Sequence, residues 1–230
     1  MLKAPSMPDA HQLNVWLHVA AGAFALLVGV APLLTRKGGD AHRRFGRWFV
    51  WLGAVVLATA LIGVALFDPP AALVAASVAA GYQYLSSLRA LALRDRGPGI
   101  IDAALALGGL AACAALFFFM GPGTASWTPA IGYSTIGFTT AVAAYDLSRH
   151  AWRQTWRRHA RPLDHGLKMT GAYFAMMSAG VGNIFRDWQP WSQVGPSLLG
   201  VAVMLALTFA YFARARPAPL PQGAPSAPSS

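Results

Sequence analysis

The feature that most constrains this chain is the one-sided placement of its Lys and Arg residues along a series of long apolar stretches. Sixteen of the 18 fall at one end of seven such stretches, and only Lys3 and Arg186 fall at the other. The basic counts run one before the first stretch, then five, none, three, none, six and one between stretches, and two after the last. Each stretch has about 20 residues, and at about 1.5 Å per residue such a helix spans a bilayer core about 30 Å thick. Lys and Arg are retained on the cytoplasmic side during insertion. The pattern predicts an all-α, polytopic bundle with seven transmembrane helices, amino terminus outside and carboxyl terminus in the cytoplasm.

Hydrophobic residues make up 56% of the chain and charged residues 11%, well below the roughly one quarter usual in soluble domains. The net charge of +10 resides in short loops between apolar spans, which fits an anionic inner leaflet and excludes nucleic acid as the expected partner. All eight acids are Asp. Cys113 is the single cysteine and lies in an apolar span, so neither an internal disulfide nor a cysteine metal cluster is expected. The first stretch has its basic cluster after it and no small-residue cleavage site, so it reads as a retained helix rather than a signal peptide.

The predicted helices cover 12–34, 45–67, 71–92, 99–120, 128–148, 165–186 and 194–213. Residues 1–11 form a short external segment, 12–213 the transmembrane domain, and 214–230 a Pro-rich tail that cannot build a core. The outer turns are Asp68-Pro69-Pro70 and Gly121-Pro122-Gly123; Trp127, Trp188 and Trp191 fit an outer aromatic belt and Trp48 an inner one. Between Arg149 and Pro162, Trp152, Thr155, Trp156 and His159 share one helical side, with arginines on the rest. Such a segment lies flat on the inner leaflet as a topological anchor, its indoles among headgroups and Pro162 ending it.

Two inner loops place Asp and His just ahead of a helix: Asp40-Ala41-His42-Arg43-Arg44-Phe45-Gly46-Arg47 and Asp164-His165-Gly166-Leu167-Lys168-Met169. Asp40 and Asp164 are natural helix caps. Together with His18, the His-Arg-x-x-Gly-Arg loop, Asp146-Leu147 and His165-x-x-Lys168-Met169, these loops carry a resemblance. The chain resembles a family of bacterial multi-span membrane proteins described as domain of unknown function 2306. The resemblance implies a multi-span inner-membrane protein and no particular activity.

Polar side chains are costly in lipid and mark candidate sites. His18 shares a face with Gly22, Ala25 and Gly29, small residues that let another helix approach, so it points at protein. In the sixth stretch His165, Met169, Ala172, Met176 and Asn183 fall on one line, and Gly171, Ala175, Ser178 and Gly182 form a packing stripe. Asp102 and Asp146 end on the inner side with Arg43, Arg44, Arg47, Arg89 and Lys168 available to them, either as locking ion pairs or as a proton relay. His42 and His165 lie on one membrane side. With His18 at the opposite side, a haem would need His165 with His42 or His159. The first and last triplets of stretches share a format, which chance resemblance explains. No phosphate-binding glycine loop or zinc motif is present. Two functions of different class follow: a membrane protein that binds or moves a small ligand through an interhelical cavity, or a redox protein holding haem or quinone near the inner histidines.

Overall fold

The structure, a computed structural model, describes residues 9–94, 96–120 and 129–215. Residues 1–8, the turn Gly121-Pro122-Gly123, Trp127 and the tail from 216 onward lie outside the described residues. Among those described, every regular element is helical. Seven long helices occur: α1 Ala10–Leu34, α2 Asp40–Leu66, α3 Ala71–Ala92, α4 Ile100–Ala115, α5 Pro129–Ser148, α6 Arg161–Ile184 and α7 Trp191–Ala215. α4 runs on into a π-helical turn, Leu116–Met120.

Five of these, α1 to α4 and α7, are long and apolar enough to cross a membrane. α5 and α6 have the length, but hydroxyls, glycines and charges lower their hydropathy, and α6 carries Asp164, His165 and Lys168 in its first two turns. The seven equivalent stretches expected from the sequence therefore divide into five strongly apolar helices and two polar ones. The apolar helices turn large side chains outward: Leu27 is 72% exposed and Phe209 73% exposed. So many outward Leu, Val and Phe side chains on single helices suit a hydrocarbon surround and not water.

Local chemistry explains most helix ends. Asp9 caps α1, its Oδ1 accepting from the Gln12 amide at 2.7 Å. Gly38 adopts φ +76° in the tight turn to α2, a conformation that disfavours any residue with a Cβ. Gly39, rather than Asp40, then occupies the cap of α2, and Asp40 sits exposed in the first turn paired to Arg43. Pro162 does not end the preceding segment; it lies in the first turn of α6, where its missing amide donor costs nothing.

α3 and α6 form the central pair, α1 lies along α2, α4 along α5, and α7 along α6. Small residues set these approaches. A Cβ on Gly29 would meet Tyr173 at 2.7 Å and Phe49 at 2.9 Å, so the predicted small face of α1 does seat other helices. The stripe on α6 divides between two neighbours: Gly171 faces Gln83 of α3, while Gly182 faces Gln193 of α7. Met169 and Met176 pack on the aromatic cluster of Phe49, Tyr173 and Phe174, which makes them core residues. Unlike α1 and α2, α5 and α6 share little helix-to-helix contact, so the last triplet is not a copy of the first.

Candidate functional site

Four charged side chains from α5, α6 and the segment after α5 form a closed ring in the interior. Arg149 reaches Asp146 at 3.1 Å and Asp164 at 2.7 Å; Lys168 reaches Asp146 at 2.5 Å and Asp164 at 2.8 Å. All four are buried, none with a side chain more than 4% exposed. Two carboxylates and two cations alternate, so the ring is formally neutral. Helical spacing delivers half of it, since Asp146 and Arg149 are three residues apart and Asp164 and Lys168 four, both neighbours on a helix surface. The other two contacts join separate elements.

The remaining hydrogen-bonding capacity of the carboxylates is filled from α3 and from the 149–160 connection. Tyr82 and Ser86 both donate to Asp146 Oδ2, at 2.6 and 2.5 Å. Trp156 Nε1 donates to Asp164 Oδ2 at 3.0 Å, and its ring lies 4.9 Å from the Arg149 guanidinium carbon. Lys168 Nζ stands 5.5 Å from the Tyr145 ring centroid. Trp156 is fully buried and Arg149 nearly so. The connection therefore does not lie flat with these side chains among headgroups; it folds inward, because two carboxylates compete for the guanidinium and the indole better than lipid does. Its π-helical turn Trp156–Ala160 is tied to the end of α7, where Tyr211 Oη donates to the His159 carbonyl at 2.5 Å.

A second ion pair borders the ring. Arg89 of α3 makes a two-pronged contact with Asp102 of α4, both bonds 3.1 Å, and Asp102 Oδ2 also accepts from the Gly99 amide at 2.9 Å. Asp102 thus closes a capping arrangement at the start of α4 as well as an ion pair. For Asp164 the expected cap is replaced by membership of the ring.

The three candidate histidines engage the protein through Nδ1. His18 meets Thr59 Oγ1 at 2.9 Å; that hydroxyl spends its single proton on the α2 carbonyls of Val55 or Val56, so it accepts from His18. His42 donates to the Pro32 carbonyl at 3.2 Å. His165 meets Ser87 Oγ at 2.8 Å while that hydroxyl donates to the His165 carbonyl. His42 lies within electrostatic range of His165, whereas His18 binds at the far end of the α1–α2 hairpin.

Of the residues singled out from the sequence, Asp146 and Lys168 join the ring, His165 lies beside it, and Asp102 borders it. Arg43 pairs with exposed Asp40 at 2.5 Å and Arg47 is exposed, so neither serves the buried acids. Asn183 is exposed and donates to its own helix at Ala179, which removes it from any interior site. Arg149, Asp164, Tyr82, Ser86 and Trp156 were not anticipated as a site. Among the described residues no group of three or more His, Cys or Asp side chains is placed to hold a metal ion.

No family model, curated protein or solved structure matches this chain.

Proposed function

We propose that this chain is an integral protein of a bacterial inner membrane that crosses the bilayer seven times, amino terminus outside and carboxyl terminus in the cytoplasm. It binds or moves a small ligand between its helices, and the charge ring closes the cytoplasmic end of that path. Five strongly apolar helices and the alternation of basic loops support the topology. Exposed Arg44, Arg47 and Trp48 suit an anionic inner leaflet.

The ring carries the functional reading. Apolar residues of like volume commonly stabilise a protein as well as a buried ion pair does, or better. Four ionised groups inside a membrane bundle therefore signify more than stability, and in membrane proteins they mark ligand and ion pathways. A neutral ring also has a natural second state, because each cation has two carboxylates to choose between.

Cysteine scanning in a Cys113→Ala background tests both parts. Cysteines at Gly38 and Gly97 should react with an impermeant thiol reagent from the cytoplasmic side, and those at Asp68 and Gln189 from the outside. Cysteines at the buried positions Ala79 and Ala172 should react slowly with a small reagent from one side. Labelling of Gly38 and Asp68 from the same side would end the topology, and an inert seam would end the path.

A redox protein is the second reading. His42 and His165 lie within electrostatic range of each other, and each donates through Nδ1, which leaves Nε2 with a free lone pair. A Soret band in the purified protein, lost in His165→Ala, is its signature.

A further inference from the structure

The two carboxylates of the ring are not held alike. Asp146 accepts from four donors, two of them hydroxyls on the central helix α3. Asp164 accepts from three among the described residues: Arg149, Lys168 and Trp156. Two of these three, Arg149 and Trp156, stand at the ends of the short stretch that joins α5 to the π-helical turn. That stretch, residues 150–155, lines an open recess. At the start of that stretch His150 Nε2 is buried with no hydrogen-bond partner among the described residues.

We propose that the cage of Arg149, Lys168 and Trp156 is a binding site for a small monocarboxylate, and that the Asp164 side chain occupies it in the ligand-free protein. The inference rests on the ring being the inner closure of a ligand path, and it names the chemical class of the ligand. Charge counting sets the valence. With Asp164 withdrawn, Arg149 and Lys168 face the single carboxylate of Asp146, leaving one positive charge uncompensated. One monoanion restores neutrality; a dianion overshoots it, and a cation or neutral molecule worsens or ignores it. Geometry sets the shape. A guanidinium and an ammonium approach one carboxylate from two sides, and an indole N–H adds a third donor, so a planar two-oxygen anion fits where Asp164 now sits. The recess lined by residues 150–155 lies in the chain between Arg149 and Trp156, two of the three donors of the cage.

The test is chemical rescue in full-length protein reconstituted into phosphatidylethanolamine–phosphatidylglycerol nanodiscs. Asp164→Ala removes the internal carboxylate, and Asp164→Asn keeps the volume but not the charge. Thermal midpoints are measured against sodium formate and sodium acetate, with sodium chloride holding ionic strength constant. The expected result is a lower midpoint for both variants and a saturable rise of about 5 °C with formate in Asp164→Ala, absent from the Asp164→Ala/Arg149→Met double variant. A rise that only tracks chloride overturns the proposal. So does failure to recover either variant folded even when formate is present throughout, because Asp164 is then not exchangeable. Rescue in a bundle whose Ala79 and Ala172 positions stay inert to thiol reagents keeps the anion site and discards the path.

Discussion

Tyr82 Oη lies 2.6 Å from Asp146 Oδ2, joining α3 to α5 although 64 residues separate them in the chain. With Ser86 one turn further along α3, it fixes one oxygen of that carboxylate and leaves the other to Lys168 and Arg149. Asp146 is thus the fixed point about which the other charges are arranged.

Removing one member of such a ring costs more than removing two of opposite sign. Lys168→Met leaves a buried net negative charge and should lower stability by about 3–5 kcal/mol. Lys168→Met with Asp164→Asn restores neutrality and should recover a substantial part of that loss. Thermal unfolding of the three proteins in one detergent gives the comparison; equal losses in single and double variants would mean the ring acts only through packing.

The α3–α6 seam is set by a glycine. A Cβ on Gly171 would overlap Gln83 Oε1, and Gln83 is buried with its amide on the Ala79 carbonyl. Gly171→Ala should therefore destabilise by about 1–3 kcal/mol, and Gln83→Ala in the same chain should relieve much of it. Gly46→Ala, whose Cβ would meet nothing within 4 Å, should stay within about 0.5 kcal/mol of the wild type.

Much of this fold was legible in the sequence, because hydrophobic length and basic loops report directly on helices in lipid. The small face of α1 and the inward aim of His18 were legible for the same reason: periodicity places residues on a face. Asp146 and Lys168 were recognised singly, Asp146 as an acid at the inner end of its helix and Lys168 as one of several bases on that side. The ring was not, although the spacings Asp146–Arg149 and Asp164–Lys168 announced half of it. Its other half depends on which helices touch, and a sequence with no observable contacts cannot supply that. Trp156 misled for a physical reason. An amphipathic run of Arg and Trp has the same periodicity whether the indole faces headgroups or a carboxylate, and only the position of Asp164 decides between them.

The indole of Trp156 should prove more than filler. Trp156→Phe keeps most of the ring contact with Arg149 but deletes the Nε1 donor to Asp164, and should cost about 1–3 kcal/mol. Trp156→Ala removes the packing on Ala90 and Leu93 as well and should cost about 3–5 kcal/mol. Unfolding midpoints ordered wild type, Phe, Ala are the expected readout, and a Phe variant equal to wild type would mean that the indole N–H contributes nothing.

At the other end of the bundle, His18 and Thr59 form a hydrogen bond that links α1 to α2. A double-mutant cycle with His18→Ala and Thr59→Val should return a coupling of about 1 kcal/mol. Additive effects of the two substitutions would show that the contact carries no energy of its own.

Each of the two polar helices brings a matched acid and base to its own side of the ring: Asp146 of α5 with Arg149 just beyond its last residue, and Asp164 with Lys168 on α6. Each pair is therefore compensated locally before the other is in place. Docking then lets the cations share themselves across the new boundary, so the ring closes by exchanging counterions rather than by gathering unpaired charges.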